Sequence, residues 1–162
     1  MIRLIAAVDS KLGIANDNGI PWQGRIPTDV AYFRDNTIGG TILMGYGMYI
    51  EMSKPLAGRT NVVASHKVNS LLPGFQLTSD ARKFLADASI DIWVVGGAGL
   101  FAQTLDLADD LYLTRLESDF DCTKFFPEFM SKFELQSSTA PITENGIDFH
   151  FEIWRSTIKN TN

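Results

Sequence analysis

A strand with one face in water alternates apolar and polar residues. A strand covered on both faces does not. IRLIAAV at residues 2–8 and DIWVV at 91–95 are of the second kind, apolar at nearly every position. TILM at 41–44 and TNVVAS at 60–65 are shorter stretches of the same type. Helical segments are predicted between them: Thr28 to about Asn36, a turn near Tyr46–Ser53, an amphipathic helix over 80–88 capped by Ser79 or Asp80, and one that opens at Gly96-Gly97-Ala98-Gly99 and runs to about Thr104. Strands that alternate with helices build a largely parallel sheet. DLYLTRL at 110–116 reads as a further strand, and FELQSS and IDFHFEIW alternate near the end, with Glu144-Asn145-Gly146 between them. Asn-Gly between alternating segments predicts a hairpin. The expected fold is α/β: a single domain over 1–162, with a central mostly parallel sheet, a C-terminal antiparallel hairpin and flanking helices.

At 162 residues and 45% hydrophobic, the chain suits one sizeable core. Its net charge is −5, and no Lys/Arg cluster offers a footing for phosphate backbones, so no nucleic-acid partner is expected. One cysteine, Cys122, precludes a disulfide within the chain and a four-cysteine zinc site. His66 and His150 lie far apart, so no metal is expected. MIRLIAAV reads as a strand rather than a secretion signal, and nothing approaches membrane-spanning length. The expectation is a cytoplasmic protein with no membrane partner.

VVGGAGLFA, residues 94–102, is the most motif-like segment. Glycines let a backbone approach a ligand closely, and a helix start attracts phosphate. The other reading is a tight turn with no ligand. Gly97, Gly99 and Ala102 also satisfy G-x-G-x-x-A, with Glu117 near the spacing of a Rossmann ribose acid. Too little chain follows for a second doubly wound half, so that fold is rejected. MGYGMY at 44–49 is a second glycine-ended strand. Two such ends suit a dinucleotide pyrophosphate. Before them, residues 9–26 form a long loop without period, and long loops in small domains are usually functional. Asp29 and Phe33 follow it, four apart on one helix face. An acid in a first helical turn can serve the helix dipole alone. It can also grip the paired N–H donors of an amidine-like ring edge.

Together these segments resemble dihydrofolate reductase over essentially the whole chain. LIAAVD at 4–9, LGI at 12–14, IPW at 20–22, IPTDVAYFRDNT at 26–37 and ILMG at 42–45 carry the likeness. KPLAGRTNVV at 54–63, VVGGAGLF at 94–101, LYLT at 111–114 and FFP at 125–127 continue it in order. The resemblance implies NADPH-dependent reduction of 7,8-dihydrofolate, with hydride reaching pterin C6 and a proton reaching N5. It implies that Asp29 holds the pterin, that Thr114 bonds the same carboxylate, and that Trp22 helps order a water. Ile5, Ala6, Phe33, Met52, Leu56 and Val95 are the implied substrate walls, with Arg59 pairing the glutamate carboxylate. For NADPH it implies Ala7, Leu12 and Ile20 at the nicotinamide. Gly45, Tyr46, Gly47 and Met48, with Val95, Gly96, Gly97, Ala98, Gly99, Leu100 and Phe101, are implied at the pyrophosphate. Ser65, His66 and Lys67 in ASHK have the chemistry to meet the 2′-phosphate; the other reading is a solvated strand end. A cis peptide is implied at Gly96-Gly97, and a monomer is implied by the family. Tyr46 and Met48 depart from the family's usual arginine and threonine, and Gly99 from a larger, often basic residue. Two other readings stand: a reductase of the same fold acting on another pterin or pyrimidine, and a non-catalytic nucleotide-binding module.

Overall fold

In chain order the elements are β1 (Ile2–Val8), β2 (Gly13–Ala15), α1 (Pro27–Thr37), β3 (Thr41–Gly45), α2 (Tyr46–Ile50), β4 (Thr60–Ala64) and β5 (Phe75–Thr78). They continue with α3 (Ala81–Ala86), β6 (Ile92–Val94), α4 (Ala98–Thr104), a 3-10 turn (Leu105–Leu107), β7 (Asp110–Leu116), β8 (Lys124–Phe125), β9 (Phe133–Ser138), β10 (Ile142–Glu144) and β11 (Ile147–Ser156). The computed structural model describes residues 1–158. Nine strands form one sheet in the order β10-β11-β7-β1-β6-β3-β4-β5, with β9 also paired to β11; β2 and β8 form a separate two-stranded ribbon. The pairings of β1 with β6 and β7, of β3 with β4 and β6, and of β4 with β5 are all parallel. Those of β11 with β7, β9 and β10 are antiparallel.

The apolar runs have the predicted cause. Along β1, Leu4, Ala6 and Val8 join one core cluster with Leu43, Leu111 and Leu113, while Ile5 joins a second with Ile42, Met44, Val63 and Trp93. Ala7 packs on a third, built on Trp22, Ile26 and Phe149. Each fully buried Leu or Ile is worth about 1.5–3 kcal/mol of transfer free energy.

Several boundaries differ from the sequence reading. Helix α1 starts at Pro27, at the first helical position where its missing N–H costs nothing. Helix α3 spans only Ala81–Ala86, its cap resolved as Asp80 accepting from Lys83 N–H at 3.0 Å. The predicted hairpin is redrawn. Asn145-Gly146 turns β11 against the short β10, and FELQSS, as β9, pairs the far half of β11 across its irregularity at Ile153/Trp154. Strands β2, β5 and β8 carry no period in sequence because each is two to four residues long. Among the described residues after Glu117 there are antiparallel strands and no further crossover helix, which agrees with the rejection of a Rossmann fold.

Candidate active site

The site begins where β7 and α1 face each other. Thr114 lies in β7 between Ala7 of β1 and Phe151 of β11, and is 2% exposed. Its hydroxyl donates to Asp29 Oδ1 at 2.6 Å, bridging 85 residues of sequence. Burial raises the Asp29 carboxyl above the usual carboxylate range, and the negative charge of Glu144 adds to this, while the Thr114 hydroxyl opposes both. Trp22 is buried beside Ile26, Leu116, Ile147 and Phe149, with its ring edge-on to Phe120 at 5.3 Å. Tight turns carry the chain from it to the acid: Arg25 N–H bonds Trp22 O, and Asp29 N–H bonds Ile26 O. Val30, a neighbour of Asp29 in sequence, is 60% exposed and belongs to the outer face of α1.

Ile5, Phe33, Met52, Leu56 and Val95 come together in one apolar cluster. Ala6 does not, since its side chain packs on the opposite face of β1 and only its backbone remains for a ligand. Arg59 is held at the rim of this cluster. Its Nη1 donates to Thr37 Oγ1 at 3.1 Å and its Nε to Ala57 O at 3.1 Å, with the guanidinium 6.0 Å from the Phe33 ring centre. Thr37 in turn donates to Phe33 O at 2.8 Å. The loop carrying Leu56 and Arg59 is shaped by Asn61. Its carboxamide accepts from Leu56 N–H and donates to Leu56 O and Arg59 O.

A second set of predicted residues falls along the carboxyl ends of neighbouring strands. β1, β6, β3 and β4 lie side by side and parallel, so their ends line up in that order. Ala7 is near the end of β1. Val95, Gly96 and Gly97 follow β6, Gly45 to Met48 follow β3, and Ser65 to Lys67 follow β4. The Gly96-Gly97 peptide is cis, as the resemblance implies. Gly96 has φ 115, a conformation that favours glycine, and a Cβ there would also press on the Phe101 ring at 3.2 Å. Gly45 N–H bonds Gly96 O at 2.8 Å, which joins the two glycine ends. Helices α2 and α4 follow the N-cap residues Gly45 and Gly97 with no side-chain cap, and Gly47, Gly97 and Gly99 open onto free space. Uncapped helix starts after two neighbouring strands, β3 and β6, fit the phosphates of a dinucleotide.

Not every residue of this set faces outward. Leu100 and Phe101 point into the core, and Phe101 N–H is used by Gly97 O, so Phe101 braces the turn from beneath. Met48 packs into the cluster with Ile5. Tyr46 is exposed, its ring 5.6 Å from that of Tyr49. His66 and Lys67 are exposed, and Ser65 Oγ accepts from Lys67 N–H. On the long loop, Leu12 has φ 64, a conformation that costs a branched side chain about 1–2 kcal/mol, and Ile20 is exposed.

The sequence profile of dihydrofolate reductase matches residues 1–156. A dihydrofolate reductase of Bacillus subtilis (strain 168) is 32% identical over 164 residues, covering 99% of this chain and 96% of that one. The chain belongs to the dihydrofolate reductase family. Dihydrofolate reductase type 3 of Salmonella typhimurium is 34% identical over 145 residues, 87% of this chain and 88% of its own. A solved dihydrofolate reductase from Enterococcus faecalis, complexed with NADP(H) and RAB-propyl, shares the fold with a TM-score of 0.86 at 24% identity, covering 97% of this chain and 96% of that one.

Three residues whose hydrogen bonds shape the surroundings of this site escape a reading of the sequence. Thr37 and Asn61 are buried polar groups next to apolar strands, and Asn61 in TNVVAS was visible as a polar interruption. Glu144 was legible only as part of a turn, because its partner Thr28 is 116 residues away.

Proposed function

We propose that this chain, acting over 1–162 as one domain, reduces 7,8-dihydrofolate to tetrahydrofolate with NADPH, and that Asp29 is the group that grips the pterin. The observation that carries this is the Thr114–Asp29 bond at 2.6 Å, which fixes a partly desolvated acid beside the apolar cluster of Ile5, Phe33 and Leu56. The ring N–H and exocyclic amine of a pterin offer two donors to such a carboxylate, in one plane. Asp29 orients the ring and favours its protonated form; the proton for N5 comes from solvent. Arg59 meets the glutamate carboxylate of the substrate as a planar fork. Trp22 closes the inner wall and helps order water near the acid. Residues Ala7, Gly45 to Met48, Ser65 to Lys67 and Val95 to Gly99 would hold NADPH, which would supply the hydride that reaches C6. With an anion-gripping Arg59 and a ring-stacking Phe33, a folate suits the site better than a smaller pyrimidine.

The absorbance of the nicotinamide band, followed with dihydrofolate and NADPH present, tests the reading. NADPH consumption that depends on dihydrofolate is expected. Consumption only with another pterin, or none at all, refutes it. The family and the absence of basic clusters favour a cytoplasmic monomer without nucleic-acid or membrane partners, and sedimentation of the purified chain at one-chain mass is the expected result. No helix among the described residues is long and apolar enough to cross a membrane.

A further inference from the structure

Helix α1 starts without a cap of its own. Its N-cap is Ile26, with no side-chain hydrogen bond, and Pro27 has no N–H. The cap arrives from elsewhere. Glu144, the last residue of β10, accepts from Thr28 N–H at 3.0 Å and from the Thr28 hydroxyl at 2.7 Å, one oxygen each. Its neighbour Asn145 locks the same junction, accepting from Arg25 Nη2 at 3.3 Å and donating through Nδ2 to Arg25 O at 2.7 Å. Thr28 directly precedes Asp29. β10 pairs with β11, and β11 places Phe151 opposite Thr114. A closed circuit results: Thr114, β7, β11, β10, Glu144, Thr28, Asp29 and back to Thr114.

We propose that Glu144 is a positioning residue for dihydrofolate reduction: from the hairpin tip it caps α1, sets where Asp29 stands against Thr114, and places a second negative charge beside that acid. The inference rests on Asp29 as the acid that grips the ring. Other groups facing Asp29 are few. From β7 comes the Thr114 hydroxyl; in the loop before α1, Trp22 is buried in the cluster with Ile26, and the Arg25 guanidinium is engaged by Asn145 O. From its own helix comes Tyr32, whose phenol burial, Tyr112 and Asp29 push up to about 12, and from β11 the Phe151 ring stacked on Tyr32 at 4.0 Å. Arg115, His150 and Glu152 occupy the alternate positions of β7 and β11, on the other face. Glu144 is thus the carboxylate whose charge raises the proton affinity of Asp29.

Charge and cap can be separated. Glu144→Gln keeps an acceptor for Thr28 N–H and removes the charge; Glu144→Ala removes both; Thr28→Val keeps both charges and drops one donor. In E144A, KM for dihydrofolate is expected to rise by up to about fivefold, the factor that matches loss of a helix cap, and the limb of the kcat/KM profile that reports Asp29 moves to lower pH. E144Q shows the same pH displacement with most of the KM restored. T28V raises KM and leaves the limb in place. Because stability itself varies with pH, the E144A profile is normalised to the folded fraction measured at each pH, and E144Q, which keeps an acceptor for the cap, reads the midpoint independently. An unchanged profile and KM in E144A, or an unmoved limb in E144Q, overturns the proposal. Titration of the 13C-labelled Asp29 carboxyl, without substrate, tests Glu144 apart from the reaction: the same midpoint in wild type and E144Q overturns it. Full activity in Asp29→Asn instead sinks the assignment of Asp29.

Discussion

Replacing Asp29 by Asn preserves the side chain's shape, removes one charge and turns one acceptor oxygen into a donor. The Thr114 hydroxyl still has an oxygen to meet at the 2.6 Å position. The pterin does not, because one of its two donors now faces an NH2 group. A hydrogen bond to a charged group is worth about 1.5–3 kcal/mol, and a donor left unpaired in a buried site costs about 1–3 kcal/mol. The sum, about 2.5–6 kcal/mol, predicts a loss of about 10²- to 10⁴-fold in kcat/KM at neutral pH. The deficit should narrow toward acidic pH, where more substrate is already protonated at N5. Stability should move the other way. The folded state raises the Asp29 carboxyl above its ordinary 3.8, so the fold holds this proton more tightly than the unfolded chain does. Ionisation therefore costs the fold stability as pH rises from that ordinary value through the raised one, and the cost persists above it. A neutral Asn escapes it, so D29N should melt at an equal or higher temperature at neutral pH while losing turnover. Absorbance of NADPH across a pH series, paired with thermal unfolding, checks both. Normal turnover at neutral pH, or a deficit equal at every pH, refutes the reasoning.

Thr114→Val removes the bond that lowers the Asp29 carboxyl, so the limb of the kcat/KM profile should move to higher pH, with a loss of about 10- to 100-fold in that parameter. Asn61→Ala leaves the Leu56 and Arg59 backbone groups without partners, and should cost about 2–4 kcal/mol, a fall of about 5–15 °C in Tm, with a raised KM for dihydrofolate. NADPH should show a lower KM than NADH, with Lys67→Ala raising the NADPH value by about three- to tenfold and leaving NADH unchanged; equal starting values would remove Ser65 to Lys67 from 2′-phosphate recognition.

The lengths of the strands and the handling of their faces were legible because burial on both sides writes itself into consecutive residues. IRLIAAV and DLYLTRL appear as β1 and β7 with the predicted bounds, and FELQSS as β9. The partner of β9 was not legible. Period-two alternation says that a segment is a strand, but an Asn-Gly turn fixes register only for the residues beside it, so β10 took the hairpin position.

At the site the division is sharper. Sequence alone placed an acid in the first turn of α1, a glycine pair after β6 and a polar end on β7, because caps, close approaches and strand ends demand particular residue types locally. The bond from Thr114 to Asp29 was expected only through the family resemblance and not from local pattern, and neither said that Leu100 and Phe101 turn inward or that Glu144 caps a helix 116 residues away. Those contacts depend on which strands lie beside one another. Sheet order is set by how whole faces pack, and no window of neighbouring residues records it.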